Sequence, residues 1–249
     1  MTPLERRTWL ENFVAWGDPS KAGLAMVAFE EGGTPFSSDE ELVDRVGFPL
    51  GAISGEALRY GVSMESDRPA TNHGRVTEQM QEYLSIRLQD SLCIARRNDF
   101  AVTGNLFPLK RLNKEAPWGS TIGFLGFDDD QAVSDYCYSS EMIKKRLCCI
   151  KDLYLRMQDR NGVMVFMGVE KHMNDIMEAL IQGVWRNLED MPSLSGHGYE
   201  GKKGWRLCSI FRTDPICCFV QHPAAHGLFN KSVADRLVER LTSLIMANI

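Results

Sequence analysis

"GVMVFMGVEKHMNDIMEALIQGV", residues 162–184, changes its period partway along. The first seven residues are apolar without alternation and are bounded by glycines, the pattern of a short strand covered on both faces. From there Val169, Met173, Ile176, Met177, Leu180 and Val184 fall on one side of a 3.6-residue helix. A strand that runs directly into an amphipathic helix is half of a βαβ unit.

The same pattern recurs along the chain. Apolar runs at 23–29 (GLAMVAF), 100–107 (FAVTGNLF, interrupted by polar residues) and 216–221 (ICCFVQ) predict three further strands. A helix is expected over 71–95, where Val76, Met80, Leu84, Leu88 and Leu92 recur every four residues beside Tyr83, with Asn72 or Thr71 as its cap. Another spans 140–157 on Ile143, Leu147, Ile150 and Tyr154, with Glu141 four residues before Lys145 for surface support. The last opens on Ser232 with Asp235 three residues on, a variant capping box ahead of Leu237, Leu241, Leu244 and Ile245. This alternation predicts an α/β fold, a three-layer α/β/α sandwich with a central, mainly parallel four-stranded sheet. Residues 1–249 read as a single domain, because no Pro/Gly/Ser-rich linker divides them.

Composition narrows the class. With 44% apolar and 24% charged residues the chain reads as an ordinary soluble globular protein. No apolar run approaches the roughly 18 residues of a membrane span, and the charged start MTPLERRTWLENF has no secretory core. A cytoplasmic protein with no membrane partner is expected. The seven cysteines include two adjacent pairs, Cys148 with Cys149 and Cys217 with Cys218, and fit no zinc or iron–sulfur spacing. They read as buried, reduced thiols. A net charge of −5 attracts no polyanion globally, so nucleic-acid binding would need local basic patches.

Open parallel sheets bind ligands at the carboxyl ends of their strands, near the point where strand order reverses. The first strand runs into Glu30, Glu31, Gly32 and Gly33, and the second carries Asn105 followed by LFPLKR. The third runs into Glu170, Lys171 and His172, and the fourth into Gln221, His222 and Pro223. Carboxylates, an amide and an imidazole at one apolar sheet edge make a candidate site. Each also has a local reading: Asn105 as a strand-end amide, His222 before proline as a turn, Glu30 and Glu31 as a solvated turn. The two glycines lack the Lys and Ser/Thr of a P-loop.

"FAVTGNLFPL" followed much later by "HPAAHGLFNK" resembles the uracil-DNA glycosylase superfamily, most closely its single-strand-selective monofunctional branch. The matching residues are Asn105, Pro108 and Leu109, then His222, Pro223, Asn230 and Lys231. Three further segments fall in the family's order: "AFEEGGTPF", "VGFPLGAISGEAL" and "VMVFMGVEKH". The resemblance runs from about residue 25 to the C-terminus. It implies hydrolysis of the N-glycosidic bond of a deaminated base flipped out of DNA, with neither metal nor redox cofactor and no covalent lyase step. Asn105 would read the base edge, since one amide both donates and accepts. His222 would stabilise the negative charge growing on the departing base. Phe36 or Phe48 would stack on that base, or Leu50 in the family's own register. His226 or Leu228 would wedge into the duplex. Where the family presents Asp or Asn to hold the attacking water, this chain has "FEEGG"; Glu31 aligns best, and Glu30 is one register away. A glutamate is chemically permissive there but one methylene longer, and a displacement of about 1 Å can cost roughly a hundredfold in rate.

Two basic clusters fit phosphate contacts: Lys110, Arg111 and Lys114 after the Asn105 motif, and Lys202, Lys203 and Arg206 with Tyr199 and Trp205 interleaved. Asn230 and Lys231 join the DNA-binding set through the resemblance. "GFDDDQ", 126–131, is acidic and reads either as a far-face insertion or as a helix start. The expected partner is damaged DNA, single- or double-stranded, met by a monomer. The alternative is a superfamily member that binds damaged, abasic or single-stranded DNA with little or no turnover. A nucleoside or ester hydrolase fits Glu30, Glu31 and His222 loosely, but no Gly-x-Ser-x-Gly elbow supports a serine nucleophile.

Overall fold

Strand β2 (Leu24–Gly32) shows why the chain layers as it does. Its side chains alternate between two cores: Leu24, Met26 and Ala28 enter one, Ala25 and Val27 the other. A strand buried on both faces has no polar side, which is why its sequence runs apolar without alternation. In the computed structural model, residues 1–32, 36–46, 48–51, 57–61, 72–111, 116–157, 162–168, 176, 178, 180, 186–192, 203–209, 215–220 and 230–247 are described. Among them the order is α1 (Pro3–Glu11), β1 (Phe13–Trp16), β2, α2 (Asp39–Val46), β3 (Phe48–Gly51), β4 (Ala57–Gly61), α3 (Asn72–Ser91) and β5 (Ala101–Arg111). Then come α4 (Ser120–Leu125), α5 (Asp130–Cys137), α6 (Ser140–Met157), β6 (Val163–Met167), β7 (Arg186–Pro192), β8 (Lys203–Ser209), β9 (Ile216–Val220) and α7 (Lys231–Ala247).

The described strands form one nine-stranded sheet in the order β3-β4-β1-β5-β2-β6-β9-β8-β7. Its centre, β5-β2-β6-β9, is wholly parallel and consists of the four strands expected from sequence. The expected four-stranded sheet is therefore the core of a wider, mixed one. β8 and β7 extend it by antiparallel pairing on one side. On the other, β1 runs antiparallel to β5 and parallel to β4, and β3 closes the edge. Most of these flanking strands lack a continuous apolar run: β3 contains Pro49, β7 reads RNLEDMP and β8 reads KGWRLCS, while β1 is apolar but only four residues long.

Helices cover both faces. α6 packs Met142, Leu147, Cys149, Ile150, Leu153 and Tyr154 onto one, where Ile176 and Leu180, both helical, also lie. α3 and α7 cover the other through Met80, Leu84 and Leu88 and through Val233, Leu237, Leu241 and Ile245. This is the three-layer α/β/α arrangement. The remainder of the expected helix over 169–184 lies outside the described residues, as does the Thr71 cap.

Three local expectations are revised. α7 is capped two residues before Ser232: Asn230 Oδ1 accepts from the Val233 N–H at 3.2 Å. Asp235 instead accepts from the Tyr83 hydroxyl (2.8 Å) and Arg87 Nε (2.9 Å), tying α7 to α3. Lys145 pairs with Glu11 on α1 rather than with Glu141. Of the adjacent cysteines, Cys217 and Cys218 are both buried, because both faces of their strand are covered, but Cys148 is exposed while Cys149 is buried. Successive helical residues point about 100° apart, so a helix resting on one face cannot bury both. The acidic stretch holds a helix start: Asp129 caps α5 at the Ala132 N–H, and Asp130 accepts from the Trp118 N–H at 2.6 Å.

Polar contacts tie the helical layer to the sheet. Tyr60 of β4 donates to Asp152 of α6 at 3.0 Å, and Arg156 Nε donates to the same oxygen at 2.6 Å. Burial, then the Asp152 carboxylate, pushes the Tyr60 phenol up, so it remains a donor. Glu11 accepts from the Tyr136 hydroxyl and from Lys145 Nζ. Burial raises the Glu11 pKa, but those two hydrogen bonds and the charges of Lys145 and Arg7 outweigh it, leaving it below the usual 4.5. A depressed carboxyl contributes stability above its unfolded pKa and loses it as pH falls through its folded one. Glu11→Gln is therefore expected to unfold at lower urea than the parent at pH 7, with the gap closing as pH falls below the unfolded value. Urea midpoints measured across that range check it; a pH-independent gap would contradict the assignment.

Candidate functional site at the carboxyl edge of the sheet

One row of residues runs across the parallel core where β6 and β9 end, while β2 and β5 continue past it: Asn105 beside Ala28, Ala28 beside Met167, Met167 beside Val220. The chain order β2, β5, β6, β9 reverses direction between β2 and β6, so the crevice of an open α/β sheet lies at Ala28 and Met167. Beyond this row β6 ends in Gly168, whose φ of +68° favours glycine and whose N–H donates to the Val220 carbonyl at 3.0 Å. Beyond β9 lie residues 221–229, outside the described set, and with them His222, Pro223, His226 and Leu228.

Asn105 is 4% exposed. It follows by two residues Thr103, whose hydroxyl donates to Gln81 of α3, so strand alternation puts Asn105 on the α3 face. Beyond it the ladder with β2 breaks. Glu30 is opposite Phe107, but Glu31 is opposite Lys110, so one step on β2 spans three on β5. The two extra residues are Pro108 and Leu109. Proline has no N–H for a ladder, and such bulges re-aim strands beside active sites. Leu109 is thereby turned into a third core cluster shared with Leu10, Trp118 and Phe124.

Several expected site residues come together here. Asn105, Glu30, Glu31, Lys110 and Arg111 lie on two adjacent strands, with Glu31 and Lys110 as register partners and Arg111 opposite Gly32. Asn230 and the exposed Lys231 begin α7 on the α3 side, with Lys231 Nζ 5.2 Å from the centre of the Tyr83 ring. Since Asn230 caps that helix, it has a structural duty of its own. Trp205 and Arg206 sit on β8 rather than in a loop, and Trp205 is opposite Val220, at the same edge of the sheet. Lys203, Trp205 and Arg206 thus belong to the mouth, four strand spacings or roughly 19 Å from β5. Lys114, Tyr199 and Lys202 lie outside the described residues.

The candidate stacking residues are not gathered at Asn105. Phe48 and Leu50 are on β3, three strand spacings or roughly 14 Å from β5. Phe36 is 2% exposed and stacked on Phe124, centroids 6.2 Å apart, in the same cluster as Leu109. Its ring is already committed to protein.

Sequence reasoning missed Arg146. It is 0% exposed, and its guanidinium donates to backbone carbonyls of the site strand: Nε to Leu106 at 2.8 Å, Nη2 to Asn105 at 2.9 Å. Nη1 donates to the carbonyls of Glu11 (2.9 Å) and Phe13. Burial lowers its pKa, opposed by Cys149, Tyr136 and Glu11, yet an arginine remains cationic near neutral pH. The run Lys144-Lys145-Arg146 reads as surface charge. The overlooked signal is that Arg146 occupies the row of Met142, Cys149 and Leu153, all buried, as its one polar member.

On the α6 side, next to Phe107 and Leu109, a pocket of about 290 Å³ including its open mouth is apolar apart from Arg7, Glu11 and Tyr136. It opens on the face opposite to that of Asn105, and its Glu11 carboxylate is already held by Tyr136 and Lys145. Among the described residues no helix is long and apolar enough to cross a membrane, and no group of three His, Cys, Asp or Glu is placed to hold a metal ion. Neither a scan against protein-family models nor a search of curated proteins returns a match to this chain.

Proposed function

We propose that this protein is a monofunctional DNA glycosylase, hydrolysing the N-glycosidic bond of a flipped uracil or other deaminated base. The observation that carries the reading is Asn105: a nearly buried amide on a central strand, level with the carboxyl ends of β6 and β9, on the strand next to that of Glu30 and Glu31 and beside the switch point. In this reading the Asn105 amide donates to and accepts from the base edge. Glu31 or Glu30 holds the water, and His222 stabilises the leaving base as its negative charge grows. Lys110, Arg111 and Lys231 neutralise backbone phosphates, while residues 224–229 enter the duplex. No step calls on a metal or a redox cofactor.

One observation favours the second reading, a DNA-binding member with little turnover. Glu31 and Lys110 are register partners on adjacent strands, and a carboxylate engaged by a lysine is less free to hold water. Excess protein incubated in a single turnover with uracil-containing oligonucleotides, single-stranded and paired with guanine, is expected to release free uracil detectable by mass spectrometry. Salt-sensitive DNA binding without release from uracil, hypoxanthine or xanthine substrates would select the binder. Absence of both would end either reading.

A further inference from the structure

Strands β1 and β5 are paired only at Ala15–Gly104 and Trp16–Thr103. Continued, the antiparallel ladder would join Val14 to Asn105 and Phe13 to Leu106. Instead the pairing with β5 stops at Ala15, and on its other edge β1 meets β4 with an irregular step between Phe13 and Ala15. β1 and β5 diverge at the residue proposed to read the base.

The Arg146 side chain fills this fork. From α6 it reaches the Asn105 and Leu106 carbonyls on β5 and the Glu11 and Phe13 carbonyls at the start of β1, with longer contacts of 3.5 Å to the Leu10 carbonyl and Cys149 Sγ. Among these acceptors there is no carboxylate, so the cation is used for its fixed fan of N–H donors. Successive carbonyls of a regular strand point to opposite sides. Here those of Asn105 and Leu106 both meet one guanidinium, so the backbone of Asn105 departs from strand geometry, three residues before the bulge at Pro108. Two neighbouring donors of one planar group, Nε and Nη2, fix that peptide on both sides.

We infer that Arg146 is a positioning residue for Asn105, setting the direction of its amide through its own carbonyl. A lysine in its place keeps the charge but presents donors from a single tetrahedral nitrogen. It cannot hold both carbonyls at the same separation. A displacement of about 1 Å in a reading group can cost roughly a hundredfold in rate. The catalytic consequence rests on the glycosylase reading; the positional one does not.

The experiment is Arg146→Lys in ¹⁵N-labelled full-length protein. The Asn105 side-chain amide pair is identified by its loss in Asn105→Ala. In the folded variant this pair is expected to shift or broaden, while that of Gln89, held by Ser85 and distant from the fork, stays in place. In the base-release assay kcat is expected to fall about 10- to 100-fold with little change in KM. An unmoved Asn105 pair in folded Arg146→Lys overturns the inference whatever the rate. A moved pair in a protein whose parent releases no base supports the positioning role and sinks the glycosylase reading instead. If the variant does not fold, the unaltered protein decides: through-hydrogen-bond couplings from the Arg146 nitrogens to the Asn105 and Leu106 carbonyl carbons are expected, and their absence overturns the inference.

Discussion

Arg146→Met is expected to lower the free energy of unfolding by about 3–5 kcal/mol, the scale of leaving several buried carbonyls unmet at about 1–3 kcal/mol each. Methionine keeps most of the stem's length and volume, so little of the loss comes from a cavity. The loss comes from the acceptors left behind. The Leu106, Asn105, Glu11 and Phe13 carbonyls would lose a donor each, and an unmet buried acceptor costs about 1–3 kcal/mol unless water reaches it. The measurement is a urea titration, with the midpoint falling and the slope unchanged. A midpoint equal to the parent's would mean that β1 and β5 close without the guanidinium.

Asn105→Asp is expected to reduce kcat/KM for uracil release by about a thousandfold, in line with losses on removing one pre-organised hydrogen-bonding group from an active site. The side chains have the same shape but different hydrogen-bonding capacity. The amide offers a donor and an acceptor, the carboxylate two acceptors, so one polar group on uracil's edge would face a like group. At 4% exposure the new carboxylate would also be desolvated. Thermal unfolding of the variant at assay pH separates the two effects: a folded variant with a lost rate supports base reading. A rate within a few-fold of the parent would remove Asn105 from the site.

What could be read in advance follows from how each element is buried. β6, β9 and β2 as far as Ala28 are covered on both faces, so their sequences are apolar without interruption there, whereas β5 buries Thr103 and Asn105 among its apolar residues and its run is broken. β7 and β8 extend the sheet with Arg186, Glu189, Asp190, Lys203 and Arg206 in their sequences, and charge of that density imitates a loop. β1 is four residues long, too short for any period to show. At the site, the strand ends were legible because topology alone brings carboxyl termini together. The bulge was not, since Pro108 marks a break without saying how many residues it extrudes. The fork at Asn105 depends on a cation from a helix about forty positions later, a pairing that no local window contains.

The Arg146 clamp also bears on the order in which the molecule assembles. Its guanidinium joins the backbone of Phe13 to a helix 133 positions away and the backbone of Asn105 to one 41 positions away. Closing such loops costs chain entropy before any contact repays it, so non-local contacts of this kind slow folding. Until α6 docks, the β1–β5 fork has no guanidinium to meet its carbonyls. The native shape of the backbone at Asn105 is therefore expected to appear only once α6 has docked.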